Sequence, residues 1–198
     1  MDESLTRLLA ELEEFGQSND SGNAERAKRM LNITRDTGEF LAVLVKATHA
    51  QRVLEIGTSN GYSTLWLASA ARAIGGSVTT VELSDFKVSL ATANFARSSV
   101  SSAINLIHAD AGQVLRRAGR SSFDLVFLDS ERSEYPGWWP DLARVLRPGG
   151  LLVVDNATSH ADQMAPFVDL VKADSAFSTF LAPIGNGEFL AVKSMNDT

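Results

Sequence analysis

The chain has 198 residues, 44% hydrophobic and 21% charged, a balance that argues against disorder, collagen-like repeats and low-complexity architecture and fits one sizeable domain. Its 24 acidic against 18 basic residues give a net charge of −6, so nucleic acid and anionic membrane are not expected partners. The absence of cysteine removes disulfides, thiolate metal sites and cysteine nucleophiles; with no basic-apolar leader and no apolar run of about 18 residues, a soluble, cytoplasmic protein is expected.

Leu5, Leu8, Leu9, Leu12 and Phe15 recur at helical spacing, and Gly16 to Asn23 is polar enough to read as a loop. Residues 1–198 form a single domain in this reading, with 1–22 a helix and loop outside the core. A second helix is expected over Asp36 to Ala50. Short β-rich runs then alternate with helical stretches. The strands are Arg52 to Ile56, Ser77 to Glu82, Ile104 to His108, Phe123 to Leu128 and Leu151 to Asp155. The helices are Tyr62 to Ala73, Phe86 to Arg97, Ala111 to Ala118 and Trp138 to Leu146. Near-continuous apolar strands separated by helices predict a mostly parallel sheet covered on both faces, a doubly wound α/β fold. A helix around Ala165 to Ala173 and an antiparallel hairpin, Phe177 to Leu181 and Glu188 to Lys193 about the Pro183–Gly187 turn, close one edge.

In open α/β sheets ligands sit beyond the carboxyl ends of the strands. After the first strand, Gly57-Thr58-Ser59-Asn60-Gly61 lets backbone approach a ligand closely, but it matches neither the pyrophosphate loop nor the nucleoside-triphosphate loop. An ordinary strand-to-helix turn explains it about as well. The second strand ends in Glu82, where an acid accepts from the two hydroxyls of a ribose; glycine loop and acid together imply a nucleoside without pyrophosphate. Asp110, after the third strand, suits an adenine amino group or a helix N-cap, roles that are compatible. Asp129 ends the fourth strand and Asp155-Asn156 follow the fifth. Three oxygen-bearing side chains at adjacent strand ends suit Mg²⁺, with Mn²⁺ or Ca²⁺ as alternatives, although single aspartates there also cap loops.

These residues resemble the cation-dependent class I O-methyltransferases that act on catechols and caffeoyl-CoA-type phenols with S-adenosylmethionine. The resemblance rests on Val53-Leu54-Glu55-Ile56-Gly57-Thr58 with Gly61-Tyr62-Ser63, Asp110-Ala111, Phe127-Leu128-Asp129 with Arg132 and Tyr135, Arg147-Pro148-Gly149-Gly150, Asp155-Asn156 and Pro183-Ile184-Gly185. It runs from about Arg29 to Lys193. It implies a seven-stranded Rossmann-like methyltransferase sheet. Glu55, Gly57, Ser59, Tyr62 and Ser63 would line the methionine end of the cofactor, Glu82 the ribose, and Asp110 with Ala111 the adenine. Met30 would fold over the methyl donor, although by periodicity Met30 and Ile33 are equally core residues. Asp129 would face the cofactor and, with Asp155 and Asn156, hold the metal.

Two positions depart from the family. Three residues after the metal aspartate the family has a lysine base; here Arg132 stands there, and an arginine does not deprotonate, so it can only stabilise an anion or pair with Glu131. After Asp155-Asn156 the family's tryptophan and glycine are replaced by Ala157-Thr158-Ser159-His160, which makes His160 a candidate base as well as a candidate surface residue. Tyr135, Trp138 and Trp139 are candidates for an aromatic acceptor pocket or for the core. The expected function is methyl transfer to a hydroxyl of a small metal-chelating acceptor, with Asp129, Arg132 and His160 nearest the chemistry. A metal-independent methyltransferase and a non-catalytic cofactor-binding relative remain alternatives. Relatives are often dimers, so a homodimer stays open.

Overall fold

Residues 1–195 are described by the computed structural model; residues 196–198, the end of the expected domain, lie outside them. The apolar runs pair in parallel as β1 (Arg52–Ile56), β2 (Ser77–Glu82), β3 (Ile104–His108), β4 (Phe123–Leu128) and β5 (Leu146–Val154). β6 (Phe177–Ala182) and β7 (Glu188–Lys193) add the antiparallel hairpin, giving seven strands in the order β3-β2-β1-β4-β5-β7-β6. Successive side chains point to opposite faces. Val53, Val78, Leu125, Phe127 and Val153 thus meet α1 (Glu3–Gly22), α2 (Arg35–Ala47), α3 (Tyr62–Ala73) and α4 (Asp85–Ala96). Leu54, Val126, Leu128, Leu152 and Val154 meet α5 (Ala111–Arg117), α6 (Tyr135–Val145) and α7 (Ala161–Ala173). No helix among the described residues is long and apolar enough to cross a membrane.

Several boundaries move from their expected places, each for a tertiary reason. The polar stretch after Phe15 is not a loop: α1 runs on to Gly22. Asn32 lies against this half of the helix, where a Cβ on Gly16 would come within 2.5 Å of its amide, and donates to the Leu12 carbonyl at 2.9 Å. Nor does the N-terminal segment stand outside the core, because Leu5, Leu8, Leu9 and Leu12 are buried in the first layer. β5 starts five residues early and includes Arg147-Pro148-Gly149-Gly150. Arg147 is drawn there by Asp124, which accepts from Arg147 Nε at 2.9 Å, from Arg52 Nη2 at 2.7 Å and from the N–H groups of Gln51 and Arg52. α6 begins at Tyr135, with a proline in its first turn, and α7 at Ala161.

Candidate active site

Strand order reverses between β1 and β4, and at such a switch point open sheets bind ligands. A cavity of about 1450 Å³ opens there above the carboxyl ends of the strands. A pocket for one small molecule spans roughly 300–1,000 Å³, so this one has room for a cofactor and an acceptor together.

Its floor is the loop after β1. Gly57 has φ +104°, and a Cβ would overlap the Asp129 carbonyl; glycine is what allows the β1 and β4 loops to touch. Ser59 donates its N–H to Glu82 Oε2 at 2.9 Å and its hydroxyl to the Met30 carbonyl at 2.7 Å. Glu82 Oε1 accepts from the N–H groups of Leu83 and Ser84, both at 2.9 Å. Three amides thus fix a carboxylate that faces the cavity and keeps lone pairs for a diol. Asp110 caps α5 by accepting from the Gln113 N–H at 2.8 Å, and it lines the same end of the cavity with Ala111.

Three cofactor candidates lie behind this wall. Glu55 does not line the cavity. It is fully buried beneath the loop and accepts from the hydroxyls of Ser63 and Thr80, both at 2.6 Å, and of Thr64. Burial pushes its carboxyl up to about 7 against the pull of those three donors. Tyr62 gives its hydroxyl to Glu13 at 2.8 Å, and with Ser63 it meets only a small recess beside Met30. Met30 is buried yet lines the main cavity; Asp20 holds its N–H at 2.6 Å and that of Leu31 at 2.8 Å.

At the other end the adjacency of β4 and β5 brings Asp129, Asp155 and Asn156 together. Asn156 Nδ2 donates to Asp129 Oδ1 at 3.2 Å and to Asp155 Oδ2 at 2.7 Å, so one atom already reaches both carboxylates. Burial, then the Asp155 charge, pushes Asp129 well above the ordinary carboxylate range. Burial raises Asp155 too, against hydrogen bonds from Glu188 and the Asn156 N–H. No three His, Cys, Asp or Glu side chains among the described residues are arranged to hold a metal. The set offered is two carboxylates and an amide, hard oxygen donors that suit Mg²⁺ or Ca²⁺.

Glu188, the first residue of β7, had no expected role. It is 0% exposed; burial and the neighbouring Asp155 charge push it up to about 10, so at neutral pH it holds its proton and donates to Asp155. Oε1 accepts from the Thr37 hydroxyl at 3.1 Å and Oε2 from no donor, which fits a carboxyl carrying its own proton. An acid heading an apolar strand was the readable signal.

Arg132 lies in the short helical turn Arg132–Glu134, 8% exposed, and lines the cavity. Its guanidinium makes no hydrogen bond or ion pair among the described residues, although its charge reaches Asp129, Asp155 and His160. His160 heads α7 and lines the cavity, its Nδ1 2.9 Å from the Ser159 hydroxyl. Burial, then Arg132 and Arg26, lowers its pKa, which leaves the ring neutral at pH 7. Of the three aromatic candidates only Trp138 lines the cavity. Tyr135 and Trp139 are core residues against Phe167, with ring centroids 5.5 and 5.9 Å from it. The Asn186 carbonyl accepts from the N–H groups of Thr158 and Ser159, and that of Gly187 from Ala157, so the hairpin turn anchors the Asp-Asn loop.

Fold and site define a class: a doubly wound α/β protein whose switch-point cavity is lined by Glu82 and Asp110 at one end and by Asp129, Asp155 and Asn156 at the other. The O-methyltransferase family model matches residues 3–193, and the chain belongs to that family. A protein of Mycobacterium sp. (strain JLS) described as a candidate O-methyltransferase is 32% identical over 174 residues, 81% of this chain and 79% of that relative. Among solved structures, a candidate O-methyltransferase from Klebsiella pneumoniae is 26% identical with a TM-score of 0.80, covering 98% of this chain and 91% of its own. The O-methyltransferase from Bacillus cereus in complex with SAH is 25% identical with a TM-score of 0.79, covering 98% and 92%.

Proposed function

We propose that this enzyme moves the methyl group of S-adenosylmethionine to a hydroxyl of a small, catechol-like chelating acceptor, with a divalent metal, Mg²⁺ above Mn²⁺ or Ca²⁺, held by Asp129, Asp155 and Asn156. One observation carries the reading: the Asn156 amide nitrogen bridges both carboxylates, at 3.2 and 2.7 Å, in the cavity that Glu82 and Asp110 line at its far end. The amide oxygen exchanges places with the nitrogen by a half turn, giving three oxygens to one point. The Bacillus cereus relative in complex with SAH supports the cofactor.

Bound there, S-adenosylmethionine would supply an electrophilic methyl and the ion would lower the acceptor hydroxyl pKa, so that the hydroxyl proton would leave to solvent, the oxygen would take the methyl and the sulfur would keep the bonding pair. The rest falls to the chain. Glu82 fixes the ribose, and the Gly57 loop lets backbone approach the methionine portion. Arg132 cannot take the proton; its fixed positive charge at the acceptor end favours an anionic acceptor there. Transfer of labelled methyl to catechol, with and without chelator, tests this. Activity lost to chelator and restored by Mg²⁺ is expected; transfer indifferent to chelator overturns the metal role.

A second reading dispenses with the metal and lets His160 take the proton, favoured by its neutral ring in the cavity wall. His160→Ala with unchanged turnover removes it.

A further inference from the structure

Resting on the methyl-transfer reading above, we propose that the acceptor is an anion, a chelating hydroxyl compound that also bears a carboxylate, and that Arg132 and Arg26 bind that carboxylate. Arg132 carries five N–H donors into a nearly buried position, yet no acceptor of the described residues meets its guanidinium. The guanidinium is open to the cavity and not sealed in the core, so a ligand can reach it, and a planar two-oxygen anion is what a guanidinium fork pairs with best. Asp129 and Asp155 do not fill that role: neither lies within 4.0 Å, and both face the point that the Asn156 amide bridges.

Arg26 stands on the N-terminal side of the same cavity, close enough for its charge to act on His160 along with that of Arg132. Its neighbours are engaged, Lys28 with Glu25 and Arg35 with Glu13 and Glu39, whereas Arg26 has no ion pair among the described residues. Of the acids on this part of the wall, Glu131 and Glu134 are exposed, where water and salt screen them, Asp20 is engaged by the Met30 and Leu31 N–H groups, and Glu13 by Arg35 and the Tyr62 hydroxyl. Once a divalent ion offsets Asp129 and Asp155, the acceptor end keeps a surplus of positive charge. A neutral catechol leaves that surplus unmatched, an amine-bearing catechol adds to it, and a carboxylated catechol cancels part of it.

The test uses the whole chain with Mg²⁺, labelled S-adenosylmethionine and three probes: 3,4-dihydroxybenzoate, catechol and 3,4-dihydroxyphenylethylamine. The expected kcat/KM order is carboxylate, neutral, amine, with the carboxylate ahead of catechol by on the order of tenfold, as a charge-assisted hydrogen bond gives. In Arg132→Gln that ratio falls towards one, chiefly through KM, and in the exposed Arg26→Gln it falls severalfold. Calorimetry in the presence of SAH reads the same preference without turnover, and so serves if Arg132→Gln is slow. Catechol or the amine preferred by the unmodified enzyme, or a carboxylate preference unchanged in both variants, overturns the proposal and leaves the methyl-transfer reading standing. Methylation of none of the three overturns both.

Discussion

Gly57→Ala separates a backbone requirement from ordinary glycine tolerance. At φ +104° a side chain is strained by about 1–3 kcal/mol. The added Cβ would also lie 2.8 Å from the Asp129 carbonyl carbon and closer still to its oxygen, and backbone cannot swing aside as a side chain would. Relief requires the β1 and β4 loops to part, an overpacking cost of about 1–3 kcal/mol more. The sum, about 2–6 kcal/mol, corresponds to roughly 5–20 °C in melting temperature for a chain of this size. Parting the loops also moves the cofactor floor away from Asp129, so SAH affinity falls as well. Thermal melting and SAH calorimetry measure both effects. Gly137→Ala is the control: this glycine is an exposed residue of α6 whose Cβ would meet nothing within 4 Å, and the change should stabilise by about 0.4–1 kcal/mol. Should Gly57→Ala melt within about 1 °C of the unmodified enzyme and bind SAH equally, the loop-contact reasoning fails.

Asp124→Asn should cost about 1–3 kcal/mol by urea denaturation, since it weakens hydrogen bonds from two arginines, of which Arg52 is half-exposed and counts for less. Burial pushes Asp124 upward, but hydrogen bonds from Arg52 and Arg147 outweigh it and hold the carboxyl below its ordinary value. Its stabilisation is therefore complete above the unfolded pKa of about 3.9 and is lost as pH falls through the folded value. Acid titration of the unmodified enzyme should show that loss below about pH 4, and a curve superimposing on that of Asp124→Asn would contradict it. For Glu188, with a folded pKa of about 10, the sign reverses: the folded state keeps a proton that the unfolded chain releases above about 4.3, so stability falls with rising pH across that window. Without metal, Glu188→Gln should gain stability over the unmodified enzyme from pH 5 to pH 8; a constant difference in urea midpoint would argue otherwise. Glu82→Gln should weaken SAH binding by about tenfold or more while the fold persists by circular dichroism, and an unchanged Kd removes its ribose role.

The strands were legible because a sheet covered on both faces needs runs such as Leu125–Leu128 and Leu151–Val154, and burial confirms them residue by residue. Glu82, Asp110, Asp129, Asp155 and Asn156 were legible for a related reason: in this topology every strand end reaches the ligand edge, so polar residues just after strands collect there. Glu55 was misplaced because position along a strand does not say which face is wet; its side chain points between the sheet and α3, into three hydroxyls. The extension of α1 past Gly16 was hidden because its stability comes from the segment after the helix: Asn32 donates to the Leu12 carbonyl, and Asp20 on the helix accepts from the Met30 and Leu31 N–H groups.

Periodicity and strand-end chemistry, both local in the chain, determined the doubly wound architecture and which polar residues gather at the ligand edge of the sheet. Only the tertiary structure decided what depends on several segments meeting at one point. Arg132 is a polar loop residue in the chain and, in the fold, a mostly buried residue whose guanidinium lines the cavity with no partner among the described residues. Glu188 heads a hairpin strand in the chain and holds a proton in the fold because Asp155, distant in sequence, shares its dry pocket. The field on a charge is set by burial and neighbours, and those exist only once the chain has closed on itself.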